Sequence, residues 1–157
     1  MEVAARLATI EDLGDLEVLY RSLEAEMIAL HPMWPLADGL AEPITQSLGR
    51  NLVDPEVVLV LGTIDELPFG FLLARVEELL PQADRLRVGA IRLVFVDHPA
   101  REVGVGEAML AFALTEMRAR GLVRFDAHVL PGHRLVKNFF EAGGFAARSI
   151  IMHHVDR

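Results

Sequence analysis

The sequence of 157 residues contains no cysteine, one tryptophan and one tyrosine. Without cysteine the chain has neither a disulfide framework nor a thiolate metal site, and this composition suits a reducing cytoplasm. No apolar run approaches the roughly 18 residues that a membrane span needs, and no basic start precedes an apolar stretch. We therefore expect a soluble cytoplasmic protein with no membrane partner.

Basic residues are also scarce, with 15 Lys and Arg against 23 Asp and Glu, which gives a formal net charge of -8. Such a surface opposes binding to a phosphate backbone, so we expect no nucleic-acid partner. A cationic or neutral small molecule fits this charge better. His153 and His154 are adjacent, and in a strand they point to opposite faces, so we predict no metal site.

The chain is rich in apolar residues, which make up 52% of it, and its length suits one domain spanning residues 1–157. Thr9 followed by Asp12 is a weak form of the capping box that begins a helix, and leucines at helical spacing behind it predict a first helix over 10–29. A shorter second helix ends near Arg50. Apolar and β-branched runs predict strands over 3–8, 56–64, 68–79, 89–97, 122–130 and 147–155, with a hairpin turn inside 56–79. Gly70 inside a strand predicts a bulge or a close backbone neighbour.

The stretch "HPAREVGVGEAML" over residues 98–110 places Arg101, Gly104 and Gly106 directly in front of a predicted helix. Glycines allow close backbone approach, and the first amides of a helix lack intrahelical acceptors, so the turn can cradle an anion. A P-loop needs Gly-Lys, and here Glu107 follows Gly106. A dinucleotide fingerprint expects Gly or Ala where Met109 stands. An ordinary tight turn between strand and helix is the alternative.

The remaining pattern is Arg-x-x-Gly-x-Gly after a strand that ends Val-x-x-Pro, and it resembles the acetyl-CoA motif of the GNAT superfamily of N-acetyltransferases. "ARLATIEDLGDLEVL" is similar to that family's opening strand and helix, "LPFGFLLARV" to its third strand, and "HRLVKNFFEAGGF" to its late motif. The resemblance implies an α/β (α+β) protein of GNAT fold. It implies a mixed, mostly antiparallel sheet of about six to seven strands, flanked by about four helices.

The resemblance also implies acetyl-CoA as co-substrate and indicates which residues would hold it. The pyrophosphate would lie among main-chain N–H groups of the turn, and the pantetheine arm along the central strand, which the family separates from its neighbour. His133 stands where the family has Asn, and Phe140 where it has Tyr, the usual general acid. A packing role is the alternative for Phe140. The implied cofactor-binding residues are Leu93, Val94, Phe95, Val96, Arg101, Glu102, Val103, Gly104, Val105, Gly106, His133 and Phe140.

Two residues are candidates for the catalytic proton transfer that an amine acceptor requires. His128 lies in the strand next to the gap that the family opens beside its central strand, and its unperturbed pKa is near 6.5. A core or sheet-surface histidine is the alternative. Asp97 follows the central strand, although it can also simply cap the turn there. His31 and Trp34 lie in the loop where the family builds its acceptor site, so they are the candidates for substrate binding; packing into the core under the proline-rich turn is the alternative for Trp34. The carboxylates of Glu77 and Glu78 are expected to form a solvated face.

The expected function is therefore transfer of an acetyl group from acetyl-CoA to a primary amine, by direct attack in a ternary complex. The acceptor is a small molecule or a peptide terminus. The alternative is a non-catalytic acyl-CoA-binding sensor or interaction module of the same fold, which Phe140 in place of Tyr favours. Exposed strand edges would also permit a homodimer.

Overall fold

The computed structural model describes residues 1–30 and 38–157, and within them one sheet is flanked by four helices. The strands are β1 (Val3–Leu7), β2 (Val57–Ile64), β3 (Leu67–Glu78), β4 (Arg87–Val96) and β5 (Phe125–Ala127). The helices are α1 (Leu13–Leu30), α2 (Ile44–Val53), α3 (Val105–Ala119) and α4 (Arg134–Ala142). Single 3-10 turns occur at Ile10–Asp12, Pro81–Ala83 and His98–Ala100.

The strands lie in the order β1-β2-β3-β4-β5, so neighbours in the chain are neighbours in the sheet. The first four are antiparallel, and β5 pairs parallel to β4 after the crossover through α3. The predicted hairpin is confirmed: Asp65 and Glu66 form its two-residue turn with φ of 49° and 67°. Positive φ at both positions is the conformation that matches the twist of the flanking strands.

The sheet is buried on both faces, because side chains that alternate along a strand enter two different cores. On one face Leu59 and Phe71 pack with residues of α1 and α2, among them Leu16 and Tyr20. On the other face the strands pack with α3 and with Phe140 of α4; the sheet residues there include Val58, Val60, Leu72, Ala74 and Ile91. The near-continuous apolar runs of β2 and β3 follow from this two-sided burial.

Two paired glycines let α3 approach the sheet closely. Gly62 of β2 stands opposite Gly70 of β3. A Cβ at Gly62 would lie 2.6 Å from the Val105 side chain, and one at Gly70 would lie 2.7 Å from the carbonyl oxygen of Phe95. The close backbone neighbour predicted at Gly70 is therefore confirmed. The contact between Gly62 and Val105 places the start of α3 directly over the paired glycines.

The first helical segment begins at a buried carboxylate. The Thr9 amide donates to Asp12 Oδ2 at 2.7 Å, and Arg6 donates to both oxygens of Asp12 at 2.7 and 2.9 Å. These hydrogen bonds, Arg6 first, lower the pKa of Asp12 below its ordinary value. The carboxylate thus ties β1 to the helix start that the Thr9 and Asp12 spacing predicted.

Asp12→Asn is expected to lower the free energy of unfolding at pH 7 by about 1 kcal/mol, because the amide keeps the Thr9 acceptor but loses the ion pair. The folded pKa of Asp12 is depressed, so this stabilisation is present at neutral pH and is lost as pH falls through the folded pKa. Urea unfolding at pH 7 and at pH 3 measures the effect. Asp156→Asn, in the exposed tail, is the control. If Asp12→Asn lowered the free energy of unfolding by the same amount at pH 7 and at pH 3, the role assigned to the carboxylate would be wrong.

The described residues form five strands, and the expected number of six to seven is therefore too high. The predicted strand over 122–130 is reduced to Phe125–Ala127, the three residues that pair with β4. The predicted strand over 147–155 does not form, since an edge of three paired residues offers little length for pairing. Ile150 and Ile151 are left 76% and 88% exposed. Among the described helices, none has the length and apolar content to cross a membrane.

Candidate functional site

The site is built where β4 and β5 separate. The strands pair only from Gly89 to Ile91, and the last bond joins the His128 amide to the Ile91 carbonyl at 2.9 Å. At this level β4 carries a bulge, because Ile91 and Leu93 face consecutive residues of β3 and Arg92 is the extra residue. Beyond it, no strand of the described chain pairs with this side of β4.

The bulge changes which main-chain groups of β4 face the open side. The Asp97 amide donates to the Phe69 carbonyl at 2.7 Å and so points toward β3. Because direction alternates along a strand, the main-chain groups of Val94 and Val96 point the other way. The Val96 carbonyl accepts from Arg101 Nε at 2.8 Å. The groups of Val94 and the Val96 amide are thereby directed into the gap.

A cleft fills the gap between β4 and residues 128–130. Its lining is mostly apolar and its polar side chains are few. Arg92 and His128 lie at the branch point of the strands, and His133 lies at the start of α4. The remaining lining residues are Leu23, Met27, Leu93, Val94, Val129, Leu130 and Val136.

The glycine turn lies between the end of β4 and α3. Glu102 and Gly104 adopt left-handed conformations, with φ of 68° and 101°, and α3 begins at Val105. The first helical bond of α3 runs from the Ala108 amide to the Gly104 carbonyl. The amides of Val105, Gly106 and Glu107 precede it and have no acceptor within the helix, which makes the helix start an anion-binding position.

The two glycines of the turn have different surroundings. A Cβ at Gly104 would meet nothing within 4 Å, so open space lies in front of that residue. A Cβ at Gly106 would lie 3.1 Å from the Phe139 ring, so Gly106 admits the close packing of α4. A large anion therefore has room at Gly104, and Gly106 holds the helices that frame it.

Arg101 is bound to protein groups. Its guanidinium donates to Glu26 Oε2 at 2.5 Å and lies 5.6 Å from the centre of the Phe95 ring. The other oxygen of Glu26 is 3.7 Å from His133 Nε2. Burial, opposed by Glu26, lowers the pKa of His133. Glu26 thus links α1, the glycine turn and the start of α4 around one end of the cleft.

Arg92 organises the other end of the cleft. It donates to both oxygens of Glu77, at 2.9 and 2.6 Å, so Glu77 is paired and does not belong to a solvated face. Arg92 Nη1 lies 3.2 Å from His128 Nδ1. A guanidinium can only donate, so Nδ1 must be the unprotonated nitrogen and Nε2 must carry the hydrogen. Partial burial and the charge of Arg92 both lower the pKa of His128.

The other predicted site residues lie in the turn after β4, in the hydrophobic core, or outside the described residues. Asp97 caps the turn after β4, accepting from the His98 amide at 3.0 Å. Phe140 is 2% exposed and packs edge-on against Phe139 and Phe145, which favours its packing alternative. His31 and Trp34 lie outside the described residues.

Phe140→Tyr is expected to destabilise the protein by about 1–3 kcal/mol, because the added hydroxyl is buried among apolar side chains without a partner. It is also expected to leave the rate of the acetyl transfer predicted from the sequence unchanged, since the ring does not line the cleft. Denaturant unfolding and turnover of the same samples measure both effects. A faster Phe140→Tyr enzyme would show that the hydroxyl reaches the cleft.

Sequence reasoning did not single out four charged side chains at or near the cleft, namely Arg92, Glu26, Asp38 and Glu77. Arg92 had a signal, since it interrupts the apolar run "AIRLVFV". Glu26, Asp38 and Glu77 had none that separates them from surface carboxylates, because their partners come from distant elements. No cluster of three or more His, Asp or Glu side chains in the described ranges is placed to hold a metal ion.

A sequence model of the acetyltransferase (GNAT) family matches residues 17–145. The chain therefore belongs to the GNAT acetyltransferase family, as the sequence motifs predicted. A search of curated proteins finds no match.

Solved structures share the fold at low sequence identity. A tetramutant of the BH1408 protein from Bacillus halodurans is 16% identical over 99% of both chains, with a TM-score of 0.82. AAC(6')-Iy, in complex with the bisubstrate analogue CoA-S-monomethyl-acetylneamine, is 16% identical over 100% of this chain and 99% of its own, with a TM-score of 0.76. A ribosomal-protein-alanine N-acetyltransferase from Brucella melitensis biovar Abortus 2308 is 17% identical over 99% of both chains, with a TM-score of 0.68.

Proposed function

We propose that this protein transfers an acetyl group from acetyl-CoA to a primary amine, by direct attack of the amine on the thioester. The observation that carries the proposal is the cleft between the diverging strands. Val94 lines it with main-chain groups directed into the gap, and the glycine turn that follows the same strand has open space at Gly104. Family membership supplies the reaction class.

The chain's residues would act mainly by binding and positioning. Amides of the glycine turn and the first turn of α3 would hold the pyrophosphate. Main-chain groups of Val94 and Val96 would align the pantetheine arm and polarise the acetyl carbonyl, a preorganised arrangement that favours the transition state. His128 carries its hydrogen on Nε2 and would donate a hydrogen bond from the branch point into the cleft. Phe140 has no proton to donate. The CoA sulfur, whose thiol has a pKa near 8.5, would therefore leave as the thiolate anion.

A cationic amine is the proposed acceptor class. The net charge of -8 favours such a substrate. Two structural neighbours also point to amines by name: one binds an acetylneamine analogue and another is a ribosomal-protein-alanine N-acetyltransferase. The absence of cysteine favours the cytoplasm as the place of the reaction.

The proposal is tested by release of CoA thiol from acetyl-CoA in the presence of neamine, of a peptide that begins with alanine, and of butylamine. A thiol reagent reads the product without background, because the protein contains no cysteine. We expect amine-dependent release with at least one acceptor. Mass spectrometry of the acceptor confirms acetylation.

The non-catalytic acyl-CoA-binding module is the second candidate, favoured by the burial of Phe140 where the family has its general acid. Calorimetric binding of CoA with no thiol release on any acceptor would support it. Failure to bind CoA at all would overturn both candidates.

A further inference from the structure

Asp38 carries the single buried side-chain polar atom that lacks a hydrogen-bond partner in the described chain. Its Oδ1 accepts from the Gly39 amide at 2.8 Å, whereas Oδ2 has no donor within hydrogen-bond range. The nearest charge is Arg92 Nη1, 3.9 Å from Oδ2. Buried polar atoms are nearly always satisfied, so this oxygen requires an explanation.

Asp38 lies beside the branch point of the cleft. Arg92 Nη1 faces both Asp38 Oδ2 and His128 Nδ1, at 3.9 and 3.2 Å, and Arg92 and His128 both line the cleft. The Asp38 side chain as a whole is 20% exposed, but Oδ2 itself is buried, so a donor has to reach Oδ2 from the side of the cleft. One guanidinium group therefore separates the free oxygen from the wall of the cleft.

The other side chains of this region that could accept a proton already have hydrogen-bond partners. Both oxygens of Glu77 accept from Arg92, and both oxygens of Asp126 accept from Arg148, at 2.8 and 2.5 Å. The lone pair of His128 is held by Arg92, and the other nitrogen carries its hydrogen. Among these described groups, Asp38 Oδ2 is the acceptor without a hydrogen-bond donor, so it can accept a proton at the branch point.

We infer that Asp38 binds the ammonium group of the acceptor through Oδ2 and accepts its proton, so that Asp38 and not His128 is the catalytic base. The inference rests on the proposed function and adds the residue that activates the amine. An ammonium group is the donor that the orphaned oxygen lacks.

The proton and electron balance is as follows. One proton passes from R-NH3+ to Asp38 Oδ2, and the free amine nitrogen attacks the acetyl carbonyl carbon. The C–S bond breaks as the carbonyl re-forms, and its electron pair stays on sulfur. The attacking nitrogen then loses a second proton to the thiolate, which gives the amide and CoA thiol. Asp38 returns its proton to water before the next cycle.

The surroundings of Asp38 make it a stronger base than an ordinary surface carboxylate. Burial raises the pKa of Asp38 above its ordinary value, and the Gly39 amide and Arg92 oppose the rise. A base of raised pKa matches an ammonium acid better than an ordinary carboxylate does. The other ionisable groups that face this region are Glu77 of β3, Asp126 of β5 with its partner Arg148, His128 and Tyr20 of α1.

Asp38→Asn keeps the Gly39 contact and removes the base, so kcat/KM for neamine at pH 7 is expected to fall about 100-fold or more. Asp84→Asn is the matched control, because Asp84 is an exposed carboxylate at the turn before β4 and its left-handed φ of 55° suits Asn. In the wild type the rate rises with pH through the pKa of Asp38, and this limb is expected to vanish in Asp38→Asn. Unchanged kcat/KM and an unchanged pH profile would overturn the inference.

Thermal unfolding separates this role from a structural one. The folded pKa of Asp38 is raised, so its charge costs stability above that pKa, and the cost disappears as pH falls below the unfolded value near 3.9. Asp38→Asn is therefore expected to raise Tm at pH 7 and to leave it unchanged near pH 3. A structural carboxylate would instead give a lower Tm on substitution.

Failure of the proposed function is distinguishable from failure of this inference. If the wild type acetylates none of the three acceptors, the proposed function fails, and the inference then depends on binding alone. Calorimetry of neamine on the CoA complex is expected to show weaker binding for Asp38→Asn than for the wild type. Equal affinities would overturn the ammonium site.

Discussion

Gly104→Glu is expected to abolish CoA binding while the protein stays folded. The new side chain would enter the open space in front of the turn, where a Cβ meets no atom within 4 Å. Its carboxylate would lie beside the pyrophosphate, and two like charges 4 Å apart near a protein surface repel by about 4 kcal/mol. That energy corresponds to roughly a thousandfold loss of affinity. Calorimetric titration with CoA measures it.

Gly121→Glu is the matched control for this variant. Gly121 has a φ of 87°, close to the 101° of Gly104, and a Cβ there also meets nothing within 4 Å. The control therefore introduces the same charge and a similar backbone strain, of about 1–2 kcal/mol, at the end of α3. It is expected to bind CoA normally. Equal loss of binding in both variants would assign the effect to strain or net charge rather than to the turn.

Phe71→Ala is expected to lower the free energy of unfolding by about 3–5 kcal/mol, a large part of the 5–15 kcal/mol of an ordinary domain. Phe71 is fully buried between β3 and the α1 face, and it stands opposite Phe95 of β4. Phe95 in turn lies beneath the Arg101 guanidinium. The cavity would thus weaken the support of the strand end that carries the site.

Urea unfolding followed by circular dichroism measures this loss. Leu67→Ala on the same strand is the control, because Leu67 is 61% exposed and its truncation leaves no cavity. It is expected to change stability by less than about 0.5 kcal/mol. A small effect of Phe71→Ala would show that the core collapses around the missing ring.

Sequence reasoning succeeded where the signal is local. The Thr9 and Asp12 spacing, the hairpin turn at Asp65 and Glu66, and the glycines before α3 each act within a few residues, so their patterns predict the observed structures. It failed at the end of the chain. The apolar and β-branched residues of 147–155 are typical of a strand, but pairing also needs a partner, and β5 has only three residues to offer.

The site required both kinds of information. The sequence by itself determined the family, the order of elements and the glycine turn, because these depend on residues close together in the chain. Only the tertiary structure decided which ionisable groups are free. Glu77, Asp126 and His128 are occupied by arginines, Glu26 holds Arg101, and one oxygen of Asp38 has no donor among the described residues. These partners come from separate elements, and a hydrogen bond between distant residues is fixed by packing that no short motif records.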